Sequence, residues 1–273
     1  MPEGPEVKTV ARTLSQHLVG QTLGDLWHSP LKLRRFPNYE ALKKLKNTLV
    51  DGVDCYGKIL FIYSNNKPVI MAQLGMTGQL KVENTGQTVA PHTHIRWGIT
   101  GTKKELRYVD PRRFGLVDIC SQGDQKALIN KLGPDPFHLI NQQRSEIITS
   151  IKRSARSIKD ILLDQSVVVG VGNIYASEAL FLASINPARL GCELAEKELE
   201  TLLDAVVKVL HLAYENCGTS FSNYVDGSGK KGNNLDFLKV FMREHEPCLT
   251  CAQAISRIKQ SGRSTFYCTC CQK

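Results

Sequence analysis

Aromatic residues are scarce, 7% of 273 positions, and the apolar runs are short, Ser166-Val167-Val168-Val169-Gly170-Val171 being one of the longest. A helix that crosses a bilayer needs about 20 consecutive apolar residues, so an integral membrane protein is excluded. Glycine and proline, at 21 and 11 residues, stand at ordinary levels, and 42% of the chain is hydrophobic. Collagen-like repeats and intrinsic disorder are therefore excluded as well. The opening Met1-Pro2-Glu3-Gly4-Pro5-Glu6-Val7-Lys8 has acids where a secretory signal needs a basic start and an apolar stretch, and a cytoplasmic chain is expected. No dinucleotide, nucleotide or catalytic-metal motif is present. In a reducing compartment an odd total of nine cysteines argues against a disulfide framework and for metal ligands plus buried thiols.

What is abundant is positive charge. Thirty-five Lys and Arg face 26 Asp and Glu, for a formal charge of +9. Neutralising a phosphate backbone releases counterions and drives binding whatever the base sequence, so nucleic acid is a natural partner, although many basic proteins have none. Nothing indicates an oligomer, and a monomer without an obligate protein partner is expected.

Residues Val7, Val10, Ala11, Leu14 and Leu18 recur at helical spacing after a proline suited to a first helical turn. From about residue 21 to 120 the chain changes to short Val, Ile, Leu and Tyr segments broken by Asn65-Asn66, Gly78 and Gly101, the pattern of antiparallel strands in a sandwich or barrel. Helical patterning then takes over from Asp124 to Cys217, clearest over Glu198 to Ala213. The polar stretch 218–234, with Gly227, Gly229, Gly232 and Lys230-Lys231, reads as a mobile loop. The expected fold class is α+β in three parts: a leading helix and β-sandwich over 1–130, a helical domain with the loop over 131–235, and a terminal metal-binding segment over 236–273.

That terminal segment holds Cys248-Leu249-Thr250-Cys251 and Cys268-Thr269-Cys270-Cys271, the doubled C-x2-C spacing of tetrahedral zinc. Only Cys268 with Cys271 repeats the two-residue gap, so Cys248, Cys251, Cys268 and Cys271 are the expected ligands and Cys270 is left out. Four thiolates leave no open position, which makes one Zn2+ structural and not catalytic. Residues 230 to 273 carry eight Lys and Arg against three Asp and Glu, and Gly262-Arg263-Ser264 falls at the tip of the expected hairpin. Such a tip suits a phosphate backbone; a solvated charged surface fits equally well.

Initiator methionine is usually removed before proline, which would leave Pro2 with a free secondary amine. An α-amino group has a reference pKa near 7.7 to 8.0, against about 10.4 for lysine, so a useful fraction is neutral and nucleophilic at pH 7. Glu3 beside it can move protons, and Glu6 lies one helical turn on. Taken alone, these residues read first as ordinary helix-start residues.

Six segments together change the weight of that reading: Pro2-Glu3-Gly4-Pro5-Glu6-Val7, Gly57-Lys58, Leu74-Gly75-Met76-Thr77-Gly78, Asp110-Pro111-Arg112-Arg113-Phe114-Gly115, Val169-Gly170-Val171-Gly172-Asn173-Ile174-Tyr175 and the cysteine hairpin. Spread from end to end, they resemble the formamidopyrimidine-DNA glycosylase and endonuclease VIII family of base-excision repair enzymes. The resemblance implies a β-sandwich, a helix-two-turn-helix domain and a zinc finger. It also implies that Pro2 displaces an oxidised base from C1′ of damaged double-stranded DNA, forms a Schiff base and eliminates both phosphates. In those terms Glu3 resembles the acid that opens the sugar ring, Lys58 the lysine that supports elimination and contacts phosphate, and Arg263 the finger arginine of the second elimination.

The same resemblance assigns His92 and Lys159 to the DNA groove, although each alone would read as surface charge. Gly170, Gly172 and Asn173 form a turn whose small residues let backbone amides approach a phosphate, with Asn173 the best backbone contact outside the finger; a simple helix cap is the alternative, and both roles can coexist. Excision requires the damaged nucleotide to leave the stack. Met76, Arg112 and Phe114 match the family's trio that fills the void; core packing is the plainer reading of Met76 and of Phe114.

The resemblance divides over the lesion. The Asp110–Gly115 segment and the wedge side with the branch that removes 8-oxoguanine and formamidopyrimidines. Gly4, Ser222 and the approach Phe237–Cys248 depart toward endonuclease VIII, which takes oxidised pyrimidines. Oxidised purines are the expectation because wedge residues meet the partner base. From another class, a DNA-binding protein without excision activity is opposed by the complete set Pro2, Glu3, Lys58 and Arg263.

Overall fold

The computed structural model describes residues 2–33, 37–221 and 223–273. Ser222 thus lies outside the described residues. The chain forms two compact units, Met1–Asn130 with Tyr214–Leu235, and Lys131–Ala213 with Asp236–Lys273.

The first unit starts with helix α1 (Gly4–Leu18) and continues through strand β1 (Leu23–His28), a short helix α2 (Tyr39–Lys43), strands β2 (Gly52–Tyr56), β3 (Ile59–Ser64), β4 (Lys67–Gln73), β5 (Gln79–Asn84), β6 (Thr93–Ile99), β7 (Lys104–Val109) and β8 (Leu116–Ile119), and helix α3 (Gln122–Ile129). The strands make two antiparallel four-stranded sheets, ordered β1-β6-β7-β5 and β2-β3-β4-β8, as the short Val, Ile, Leu and Tyr segments predict; α2 is a helical turn the sequence reading did not separate from the strands. Alternation drives the arrangement: along β4 every second residue is buried, so one face of the strand enters the core. Trp97, Leu106 and Tyr108 of one sheet share that core with Leu60, Ile70 and Val117 of the other, and with Val7, Val10, Ala11, Leu14 and Leu18 of α1.

Between β5 and β6 the chain is pinned by a buried arginine. Arg107 donates from Nε to Glu105 Oε1 (2.6 Å), from Nη1 to Glu83 Oε2 (2.7 Å) and Thr88 O (3.1 Å), and from Nη2 to Asn84 O (3.2 Å) and Gln87 O (2.9 Å). Five donors meet five acceptors, the condition under which a buried guanidinium is tolerated.

The segment 214–235 packs with the β unit, and Gly227 is bonded to it. Gly227 N donates to Thr13 Oγ1 (2.7 Å), and Gly227 O accepts from Val82 N (2.8 Å). A Cβ on Gly227 would come within 2.7 Å of Thr13 Oγ1 and 2.8 Å of Leu14, so glycine serves here for close approach to α1 and not for flexibility.

In the second unit come helices α4 (Asn141–Lys152), α5 (Ile158–Leu162), α6 (Asn173–Leu182) and α7 (Glu196–Glu215), the last two residues of α7 falling in the first unit, followed by the hairpin β9 (Ser256–Gln260) and β10 (Arg263–Tyr267). Ile151, Ile161, Leu162, Tyr175, Leu180, Leu199, Leu203 and Val206 are among its core residues. The hairpin is not a free-standing third part. Gln272 Nε2 donates to Ile185 O (2.9 Å) and Asn186 N to Lys273 O (2.8 Å), and Phe181 of α6 packs on the finger's own cluster of Val240, Ile255 and Phe266.

Glu178 of α6 was not singled out by the sequence reading, yet it ties the approach to the finger. Its carboxylate accepts from the amides of Lys239 (2.7 Å), Val240 (3.0 Å) and Phe241 (2.8 Å). Burial is the dominant influence on this carboxyl and pushes its pKa above the usual range, against the pull of the three amides and Lys239. Glu178→Ala leaves those three donors without their acceptor and is expected to cost about 2–4 kcal/mol, read as a lowered unfolding midpoint in urea.

Candidate functional site

The start of α1 gathers Pro2, Glu3 and Glu6, all buried, with Glu3 only 1% exposed. Pro5 fits the first helical turn because an amide there has no intrahelical partner. Glu6 Oε2 accepts from Glu3 N and Oε1 from Thr219 N, each at 2.8 Å. Both oxygens of Glu6 thus serve the backbone, one at the residue next to Pro2 and the other in the segment 214–235. In this arrangement the Glu6 carboxylate positions its neighbours. Tyr224, also unforeseen, donates from its hydroxyl to Cys217 O (2.9 Å) and Glu6 O (3.4 Å). Burial pushes this phenol well above its usual pKa, with the Glu6 charge adding to the effect, so it is a fixed donor.

Lys58, half-buried, occupies the two-residue turn Gly57-Lys58 that joins β2 and β3 and lets Tyr56 face Ile59. Gly57 has φ +55°, in the left-handed region such tight turns require. Helix α1 lies against β2 and β3, so Lys58 belongs to the sheet that carries the N-terminal cluster.

Met76, Arg112 and Phe114 come together on two adjoining loops. Met76 is 42% and Phe114 44% exposed, which removes the core-packing reading for both. The Arg112 guanidinium stacks over the Phe114 ring at 4.7 Å from its centroid. His92, exposed and at φ +62°, precedes β6, and its carbonyl accepts from Asp110 N (3.0 Å). Its near neighbour His94 is instead fully buried: Nε2 donates to Asp110 O (3.0 Å), which leaves Nδ1 to accept from Ser29 Oγ (3.1 Å). That pairing fits the neutral ring, and burial lowers the His94 pKa accordingly.

In the second unit Lys159 of α5 and Asn173 of α6 reach β10, the strand that begins with Arg263. Lys159 Nζ donates to Ser264 O (3.1 Å) and Thr265 Oγ1 (2.6 Å), and Asn173 Nδ2 also donates to Ser264 O (2.9 Å). Arg263 precedes Ser264 and is exposed beside the tip Ser261-Gly262. Surface charge is the wrong reading for Lys159, which is 1% exposed; its ammonium holds β10. Gly170, at φ +87°, gives its amide to Gln165 Oε1 (3.0 Å), while Gln165 Nε2 donates to Val171 O (2.8 Å). The turn before α6 is therefore clamped by Gln165, and the Gly170 amide is spent inside the protein instead of on a phosphate.

Cys248, Cys251, Cys268 and Cys271 place their sulfurs within 4.8 Å of one another, with 3.9 Å between Cys248 and Cys271 and 3.4 Å between Cys251 and Cys268. Tetrahedral Zn2+ at about 2.3 Å from each sulfur puts them about 3.8 Å apart, so the four thiols fit the ion and would hold it as a closed structural site. Cys270 is exposed and outside the cluster. No cysteine forms a disulfide among the described residues, but of the five others only Cys120 is the buried thiol anticipated; Cys192 is exposed and Cys55 and Cys217 are half-buried.

The chain matches three family models: the formamidopyrimidine-DNA glycosylase N-terminal domain over residues 1–117, the formamidopyrimidine-DNA glycosylase H2TH domain over 132–224, and the zinc finger found in FPG and IleRS over 246–273. A formamidopyrimidine-DNA glycosylase of Desulforamulus reducens is 34% identical over 277 residues, covering 100% of this chain and 99% of the relative. Another, from Moorella thermoacetica, is 36% identical over 264 residues, covering 95% of each. Among solved structures, a Lactococcus lactis FPG mutant in complex with Fapy-dG containing DNA superposes with a TM-score of 0.90 at 29% identity over 100% of both chains. MutM (FPG) from Thermus thermophilus gives 0.86 at 34% identity over 99% of this chain and 98% of its own.

Proposed function

Since the chain belongs to the formamidopyrimidine-DNA glycosylase family, we propose that its chemistry starts at the Pro2 amine. It is a base-excision repair glycosylase for oxidised purines, with the AP lyase activity of its family. One structural Zn2+ belongs with the four cysteines of the finger.

On this reading the amine of Pro2, freed by removal of Met1, attacks C1′ of the damaged nucleotide. The C1′–N bond breaks and the base leaves, while Glu3 protonates the sugar oxygen as the ring opens. The resulting iminium withdraws electrons from C2′, whose proton is lost as the 3′ phosphate departs; a second elimination releases the 5′ phosphate and leaves a one-nucleotide gap. Lys58 neutralises a phosphate during elimination, and Arg263 does so at the second departure. Met76, Arg112 and Phe114 fill the emptied stack, and His92 joins them on the DNA. Lys159 and Asn173 act behind the surface by fixing β10, and Glu6 by fixing Glu3. The chain works as a monomer on damaged duplex DNA.

The observation that carries this reading is the α1 start, where Glu6 holds the Glu3 amide at 2.8 Å and so fixes the backbone beside Pro2. A geometry set by buried hydrogen bonds is what a positioned nucleophile requires. The relatives' names favour the purine branch in spite of Gly4 and the Phe237–Cys248 approach. Borohydride trapping on duplexes with 8-oxoguanine opposite cytosine or with an oxidised pyrimidine tests both points. Stronger trapping on the purine duplex, mapped to Pro2, is expected. Trapping mapped to another residue would overturn the nucleophile, and a stronger pyrimidine adduct would overturn the branch.

A further inference from the structure

The two wedge loops are joined by a buried carboxylate. Asp110, fully buried, accepts on Oδ1 from Thr77 Oγ1 (2.6 Å) and on Oδ2 from Tyr108 Oη (3.0 Å) and Gly115 N (2.9 Å). Thr77 Oγ1 in turn accepts from Arg112 N (3.2 Å). Thr77 follows Met76, and Gly115 follows Phe114, so one acid and one hydroxyl are bonded beside all three wedge residues. The loops also touch through their backbones: at Gly75, φ +62°, a Cβ would lie 2.8 Å from Gly115 N, and at Gly115 a Cβ would overlap the Tyr108 hydroxyl.

We propose that Asp110 and Thr77 are a positioning pair that sets where Met76, Arg112 and Phe114 enter the duplex, and hence how well the enzyme reads the base left opposite the lesion. The inference rests on the wedge reading above. Its physical basis is that exposed side chains on two separate loops keep a common geometry only if the loops are fixed to each other. Asp110 does this with charge-assisted bonds, the stronger class of hydrogen bond. The pair touches no reacting atom, so it bears on insertion and reading and not on attack by Pro2.

Thr77→Val removes the hydroxyl at nearly constant volume, and Thr77→Ser restores it. In single-turnover assays on a lesion duplex, Thr77→Val is expected to slow base excision about tenfold or more, the scale of a misplaced group, and to reduce discrimination between opposite bases. Trapping on the same duplex with a preformed abasic site should change by less than about threefold, because the chemical step is spared. Thr77→Ser should recover excision and discrimination. Asp110→Asn is the second variant and should show the same split. Zinc content and thermal midpoint establish that each variant is folded. Unchanged excision and discrimination in a folded variant would overturn the proposal, as would abasic-site trapping that falls in parallel with excision. Should the unsubstituted chain neither excise nor trap, the glycosylase reading itself falls, and the proposal with it.

Discussion

Replacing Pro2 by glycine is expected to reduce base release and strand cleavage by about a hundredfold or more while damaged-DNA binding survives. Glycine keeps a terminal amine, so the loss is one of kind and placement. A secondary amine condenses to an iminium with no N–H to lose, a permanent electron sink for both eliminations; a primary amine gives an imine that must be protonated to do the same work. Glycine also frees the backbone that proline fixes, and misplacing a reacting group by 1 Å costs about 10²-fold. Single-turnover excision and gel-shift affinity, measured on the same duplex, check the prediction. Unchanged cleavage would remove Pro2 from its role. A chain that retains Met1, verified by mass, should be inactive for a different reason, since its Pro2 nitrogen is an amide.

Loss of the finger is the other large effect. Cys248→Ser removes one of four thiolates, and structural zinc binding is worth about 10–16 kcal/mol near pH 7, so the variant is expected to release its zinc and unfold residues 246–273. Cys248 and Cys268 are both core members of the finger cluster on which Phe181 of α6 packs, so the loss reaches into the second unit. The β-sandwich, whose hydrophobic core contains no finger residue, should keep its unfolding transition. Each hydrogen bond to a charged group lost with the Arg263 tip is worth about 1.5–3 kcal/mol, so DNA affinity should fall at least about tenfold. Its salt dependence should also become shallower as phosphate contacts disappear. Metal analysis, circular dichroism and binding at two salt concentrations check the three parts separately. Affinity that survives finger loss would refute the basic-tip reading.

The elements read well from sequence are those whose signal is local. Helix α1 is visible in the spacing of Val7, Val10, Ala11, Leu14 and Leu18, all buried; the zinc ligands are visible because thiolate spacing is dictated by one ion. What escaped depends on partners far along the chain. Glu6 and Thr219 are 213 positions apart, and Lys159 meets Thr265 across 106. No period or spacing encodes that Lys159 turns inward, and a basic run around residues 152 to 159 reads as surface until the strand it supports is known. Within 218–234 the glycines carry a mobile-loop signal, but at Gly227 the missing side chain also makes room for Thr13 and Leu14, which no local pattern encodes. Asp110 carries no signal of its own in the sequence, because Arg112 and Phe114 beside it hold the conspicuous chemistry.

The return of residues 214–235 to the β unit has a consequence for how the chain is made. Synthesis runs from the amino terminus at about 5–20 residues per second, so Thr13 and Glu6 emerge long before the glycine and threonine amides that pair with them. Until then the face of α1 that receives Gly227, and the Glu6 oxygen that receives Thr219, are left to solvent. The intervening stretch 131–213 carries its own core and can collapse first, leaving the first unit to be completed last. Closing a loop of this length carries an entropic cost that grows only slowly with chain length, but the Thr219 and Tyr224 bonds to Glu6 form only when it closes. The Glu3–Glu6 bond beside Pro2 can form with α1 itself, whereas its anchor from Thr219 is a late product of folding, made only after most of the chain has been translated.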